Sequence, residues 1–205
     1  LSPSSAASDV SKRQIKCCLA TFLWVFFRFH KNYHTLVYEM RQWEKVLGTV
    51  HYKSDFLCFI RMCAGFREYR SLLLFRLGDA GMILSGIVPH QRSTFFITES
   101  SKIGKGLILQ HGYSSILFPE SMGDNCQVWH NVTIGRTHDK GPRPIIGNNV
   151  KICAGSFVLG GIKVGDNVTV GAGTMLVKDV PENCVVCGNP AYIIKQDGEK
   201  VHIKL

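Results

Sequence analysis

The strongest pattern along the chain is an aliphatic residue that returns at every sixth position through residues 97–177, often with a small residue just behind it. Ile97, Ile103 and Leu109 open the series, Ile116, Met122, Val128 and Ile134 continue it, and Ile146, Ile152, Val158, Val164, Val170 and Leu176 complete it. A period of six is neither helical nor simple strand alternation. Three such units make a coil of about eighteen residues whose aliphatic side chains all point into one narrow core. The pattern therefore predicts a mainly β chain wound as a parallel β-helix. Glycine follows the aliphatic residue at Gly104, Gly123, Gly135, Gly147, Gly165 and Gly171, as expected where the chain turns a tight corner and a Cβ would strain the backbone.

The period fails twice. Between Leu109 and Ile116 the step is seven, so one extra residue is accommodated near His111. Between Ile134 and Ile146 the column gives way to residues 135–144, which are polar, charged and broken by Pro142 and Pro144. That segment reads as a loop thrown out from the coil, on the face where solenoids usually bind.

The first ninety residues follow a helical period instead. Cys17 to Phe27 is strongly apolar and is preceded by Lys12, Arg13 and Lys16. Arg28, His30 and Lys31 follow where a signal-peptide cleavage site would need small residues, and the run is too short to span a bilayer. It is expected to be a helix buried against the chain or another subunit, with peripheral membrane contact through 17–27 as the minority reading. Leu36, Val37, Met40, Trp43, Val46 and Leu47 predict a second helix stopped by Gly48. Ser54 or Asp55 can cap a third that carries Phe56, Phe59, Ile60, Cys63 and Phe66 on to Leu77. The expected organisation is a disordered 1–11, a helical region 12–90 capping the open end of the coil, the β-helix 91–195 and a mobile tail 196–205.

Composition adds limits. The 205 residues are 45% hydrophobic with a formal charge of +9. That balance suits nucleic acid, anionic lipid or a phosphate-rich small molecule. The cations are spread without a dense run or a stacking aromatic motif, so no nucleic acid partner is expected. The eight cysteines lack framework spacing, and the Cys184/Cys187 pair is a lone CxxC, so reduced, mostly buried thiols in a cytoplasmic protein are expected.

The chemistry points to histidine. His111 lies two residues after Leu109 and His130 two residues after Val128. These equivalent positions should stack the two rings on successive coils, with backbones about 4.8 Å apart. His138, in the excursion loop, can lean over the same face.

At these residues the chain resembles a known family. The run from Lys102 through Gly112, then Val132-Thr133-Ile134-Gly135, residues 146–150 and Gly188-Asn189-Pro190-Ala191 are similar to the hexapeptide-repeat acyltransferases, in their serine O-acetyltransferase branch. The likeness covers roughly residues 90–195. It implies a left-handed β-helix, a homotrimer, and acetyl-CoA as co-substrate in a groove between adjacent subunits, with no metal. His111 then matches the general base that deprotonates the acceptor hydroxyl for direct attack on the thioester. His130 is a second catalytic candidate. Ala154, Gly155, Gly160 and Ala172 match the small residues along the pantetheine arm, and Lys178, with Lys163, is a candidate for the CoA phosphates.

Three departures concern the acceptor. Phe96 and Gln110 stand where the serine enzymes have aspartates, and Pro142-Arg143 stands where they have an Arg-His pair. With Gln110, His138 and Arg143 as the acceptor-side candidates, the expected substrate is a sugar or polysaccharide-precursor hydroxyl, and serine is the alternative. Readings of another class are a catalytically silent assembly subunit, or a carbonic-anhydrase-type zinc hydratase using His111, His130 and His138, whose spacings fit that ligand set poorly.

Overall fold

The computed structural model describes residues 3–48, 50–90 and 95–205. The chain divides into two compact units, residues 1–90 and 91–205.

The first unit holds five helices: α1 (Pro3–Phe29), α2 (Tyr33–Val46), α3 (Asp55–Gly65), α4 (Arg67–Arg76) and α5 (Asp79–Leu84). Its core is the set the helical period picks out, with Leu23, Phe27, Met40, Trp43, Phe59, Met62 and Leu72 almost fully buried. Two buried carboxylates tie the helices together. Glu39 on α2 binds Arg76 on α4 at 2.8 Å. Glu44 accepts from Arg41 at 2.9 Å and from the Tyr52 amide at 2.8 Å, and lies 3.0 Å from His51 Nδ1. Two expectations change here. Residues 3–11, expected to lack order, lie within α1, while residues 1 and 2 fall outside the described set. The helix expected to run on to Leu77 breaks at Phe66, whose extended backbone (φ −122°, ψ 117°) separates α3 from α4. Cys17 and Cys18 are exposed; Cys58, Cys63, Cys126 and Cys184 are buried. Among the described residues no helix is long and apolar enough to cross a membrane.

The second unit is a left-handed parallel β-helix of about five coils with three faces. The first sheet stacks β1 (Phe95–Ile97), β4 (Ser115–Leu117), β7 (Thr133–Gly135), β10 (Phe157–Leu159) and β13 (Met175–Leu176). The second stacks β2 (Lys102–Ile103), β5 (Ser121–Met122), β8 (Ile145–Ile146) and β11 (Lys163–Val164). The third stacks β3 (Ile108–Leu109), β6 (Gln127–Val128), β9 (Lys151–Ile152), β12 (Thr169–Val170) and β14 (Cys184–Cys187), and adds β15 (Tyr192–Gln196) and β16 (Glu199–Lys204). Met122, Val128, Ile134, Ile146, Ile152, Val158, Val164, Val170 and Leu176 all point inward, as the six-residue period requires.

The column departs from the count at one place. Ile116 is 49% exposed, and Leu117 is buried and pairs with Ile134. The corner after Leu109 absorbs two extra residues, and the next segment gives one back, because His111 and Ser114 both take positive φ (54°) and shorten the chain's advance. Sliding by one residue moves a side chain from core to surface. Outward positions Phe96, Ile116, Thr133, Phe157 and Met175 consequently form one aligned column on the first sheet.

Four of the six glycines that follow the aliphatic residues, Gly104, Gly123, Gly147 and Gly165, are needed for a different reason than tight corners. None of the six has positive φ. A Cβ on Gly165 would come within 2.5 Å of the Glu182 amide nitrogen, because successive coils approach there backbone to backbone. The positive-φ corners are filled largely by Asn125, Asn149, Asn167 and Asn183, which tolerate the left-handed region best among non-glycine residues. Their side chains form a ladder: Asn149 donates to Asn167, Asn167 to Asn183, and Asn183 to Asp197, at 2.9–3.1 Å. The last rung lies in the β15–β16 turn. The expected mobile tail is thus an antiparallel hairpin paired to the final coil.

Candidate active site

His111 sits on the corner between β3 and β4, exposed to solvent. Its carbonyl accepts the Tyr113 amide at 2.5 Å, closing a three-residue turn through Gly112. The backbone therefore holds the residue while the imidazole projects outward. Gln110 precedes it and is anchored through its amide to the Val128 carbonyl at 2.8 Å.

His130 lies one coil along, yet the ring stacked on it is Tyr113, with centroids 4.9 Å apart and planes at 18°. The expected His111–His130 stack is replaced because the shortened corner carries Tyr113 into that place; Asn131 then bonds the Tyr113 carbonyl at 3.0 Å. The Nδ1 atom of His130 is buried without a hydrogen-bond partner among the described residues. Leaving such a nitrogen desolvated costs about 1–3 kcal/mol, so the ring is held by stacking.

The excursion loop splits the acceptor-side candidates. Arg143 is tied down: its guanidinium donates to Glu120 at 2.5 and 2.9 Å and to Ser100 at 2.9 Å, and it lies over the Phe118 ring at 4.7 Å. Arg143 thus staples the loop to the coil. His138 is exposed, with Nδ1 3.1 Å from the Thr137 hydroxyl. It lines an open hollow of about 430 Å³ on the outer face of the first sheet, floored by Ile116 and Phe118 and rimmed by Thr133, Arg136 and Asp139. Arg136 lies over Phe118 at 5.0 Å and is exposed. His111, His130, Gln110 and Arg143 do not line this hollow. The three histidines do not converge, and no three of His, Cys, Asp or Glu form a metal-sized group among the described residues.

The CoA-side residues divide as well. Gly155 and Gly173 have positive φ (71° and 68°) at one corner of successive coils. Their amides are already used, Gly155 on the His130 carbonyl (3.1 Å) and Gly173 on the Ala154 carbonyl (2.9 Å). Ala154 is half-buried and Ala172 exposed, which leaves a low, small-residue surface. Gly160 serves the loop: its amide bonds the Gly135 carbonyl at 2.9 Å, and a Cβ on it would touch Thr137 at 3.4 Å. At neighbouring Gly161 a Cβ would press on the Pro142 ring at 2.6 Å. These two glycines are the floor on which the excursion rests. Lys178 is exposed and borders a cavity of about 120 Å³ with Met175, Val177, Asn189, Pro190, Ala191 and Leu205.

Sequence reasoning passed over Tyr113, Phe118 and Arg136. Tyr113 falls in the corner where the period is suspended. Arg136 opens the irregular loop, where charge alone does not separate an anchored arginine from an exposed one.

Residues 143–178 match the bacterial transferase hexapeptide family (six repeats). The solenoid is similar to the hexapeptide-repeat proteins of the serine O-acetyltransferase-like branch. Serine acetyltransferases of Staphylococcus epidermidis and Staphylococcus aureus are 41% and 42% identical to it over 118 residues, which is 54% of this chain and 55% of theirs. The chain thus spans about half the length of the curated relatives it matches. Among solved structures, serine acetyltransferase of Brucella abortus in complex with coenzyme A is 25% identical with a TM-score of 0.65, and the match covers 87% of this chain and 72% of that one. The Neisseria gonorrhoeae serine acetyltransferase in complex with serine, at 22% identity and TM-score 0.63, covers 79% of this chain and 68% of its own, and shares the fold.

Proposed function

We propose that the protein is an acetyl-CoA-dependent O-acetyltransferase with a serine-type hydroxyl acceptor. The observation that carries the reading is His111, fixed by its backbone on an exposed corner of a coil that resembles the serine acetyltransferases. Its imidazole takes the acceptor's hydroxyl proton as the oxygen attacks the thioester carbonyl. The tetrahedral intermediate collapses, the C–S bond breaks, and the proton passes to the departing CoA thiolate. The pantetheine arm lies on the low surface at Ala154 and Ala172, and the phosphates reach toward Lys178.

The acceptor hollow and His111 stand apart in one chain: His111 precedes β4, and Phe118 and Arg136 lie beyond the far ends of β4 and β7. A homotrimer that covers the apolar column of Phe96, Ile116, Phe157 and Met175 would bring a neighbour's His111 to the hollow. This is the assembly the reading needs. In that setting Arg136, rather than the anchored Arg143, is the cation free to meet an acceptor carboxylate.

A second reading, a sugar hydroxyl, rests on Phe96 and Gln110, which supply no carboxylate for an amino acid's ammonium and leave Asp139, on the exposed rim of the hollow, as the carboxylate that lines it. Burying that ion without a partner would be costly. The deciding experiment is release of CoA from acetyl-CoA with serine or a panel of neutral sugars as acceptor. Serine turnover of roughly 1–10³ per second supports the first reading, and turnover confined to sugars supports the second. Acetyl-CoA binding without turnover of either would make the chain a silent subunit.

A further inference from the structure

We propose that α1 docks on an anionic lipid surface through a second apolar face that the helical unit leaves uncovered. One face of α1 is used internally, with Ala20, Leu23 and Phe27 buried. A separate stripe points outward: Ile15, Phe22, Val25 and Phe29 are 67%, 49%, 53% and 82% exposed. With exposed Cys18 they fall at steps of three and four residues, which places them along one side of the helix. Gln14, Thr21 and Arg28 make a polar strip beside it. The apolar arc of α1 is therefore wider than the unit can cover, and isolated exposed side chains do not account for a continuous stripe of large ones.

Charge selects the occupant. Between Asp9 and Glu39 the chain contains no acidic residue, yet it carries Lys12, Arg13, Lys16, Arg28 and Lys31. Lys16, Arg28 and Lys31 are exposed. A second copy packed on this stripe would set these cations against their own equivalents, with no acidic residue in the segment to pair across the seam. An anionic bilayer satisfies both features: phenyl and aliphatic groups enter the headgroup boundary, and the lysines stay with the phosphates and carboxylates. The helix lies in the interface, since it is not apolar enough to cross. This inference is independent of the acetyl-transfer chemistry.

The test is co-sedimentation of the full chain with vesicles of phosphatidylcholine, with and without phosphatidylserine. The protein is expected to bind only the anionic vesicles and to be released by high salt. Phe22→Asp with Phe29→Asp, both on the exposed face, should weaken partition by at least about tenfold, and Lys16→Glu with Lys31→Glu by about tenfold or more. Circular dichroism and thermal melting should match wild type in both. No binding by wild type, equal binding to neutral vesicles, or full binding by the folded variants overturns the proposal. A smaller assembly on sedimentation of the Phe22/Phe29 variant, without vesicle binding by wild type, assigns the face to a second copy instead.

Discussion

An imidazole can serve as a base only if its ring is placed, and the two histidines of the solenoid are placed in opposite ways. His111 is set by a backbone turn and leaves its ring to solvent, whereas His130 is set by its ring, against Tyr113. His111→Ala is therefore expected to lower kcat by roughly 10²–10⁴-fold with little change in CoA affinity. His130→Ala should act through Tyr113 and the corner, giving a smaller loss that Tyr113→Ala reproduces and Tyr113→Phe does not. The checks are steady-state kinetics of all four variants and calorimetric CoA titration; full activity of His111→Ala would remove its role as base. Glu44 supplies a pH dependence of stability. Burial by itself would raise its pKa, but hydrogen bonds from the Tyr52 amide, Arg41 and His51 hold it at about 2. Its folded pKa lies below the unfolded value near 4.3, so its contribution is complete above that value and is lost as pH falls toward about 2. Urea midpoints should drop through this window, and Glu44→Gln should flatten the drop.

Elements differ in how far their pattern could be read ahead. The inward columns are readable because a hexad repeat imposes similar burial on successive coils, and the repeat alone predicts the core at Val128, Ile152 and Val170. The corner at residues 110–114 was not, since backbone angles at His111 and Ser114 set where the count resumes, and no periodicity encodes an angle. The same holds for the acceptor side: Arg136 and Arg143 look alike in the chain, and only the position of Glu120 distinguishes them. The hairpin was missed because its strands lie beyond the repeat and draw their register from a ladder of amides ending at Asp197. Among the glycines, the close approach of successive coils gives a test. Gly165→Ala is expected to destabilise by about 1–3 kcal/mol through coil-to-coil crowding, while Gly135→Ala, whose Cβ would meet nothing within 4 Å, should cost far less. Urea denaturation of both compares them directly.

Taken whole, the chain joins a small helical unit to a solenoid with its own continuous core, and the reaction proposed for it requires several copies. Sedimentation should show a trimer or a dimer of trimers. Phe157→Asp, in the exposed column of the first sheet and outside the hollow's lining, should dissociate the assembly and abolish turnover together, because the hollow would lose the neighbour's His111; an active monomer would sink that reading. Thiol reactivity checks the burial of the two units at once. Cys17 and Cys18 are exposed, whereas burial lifts the Cys58 and Cys126 thiols to about 12. A disulfide reagent should therefore label the first pair rapidly and leave the second until unfolding.

The antiparallel hairpin at the end of the solenoid also governs what the coil does not do. A parallel stack of identical rungs ends in a row of amides and carbonyls that matches the start of another stack, so a bare end is a template for linear growth. Here β15 reverses direction against β14, and the outermost strand, β16, offers Lys200 and Lys204 on an exposed edge. An incoming coil would meet the wrong polarity and two exposed lysines. Cutting the chain after Cys187 should consequently convert a protein of fixed size into one that polymerises end to end, visible as fibres by electron microscopy and as concentration-dependent scattering.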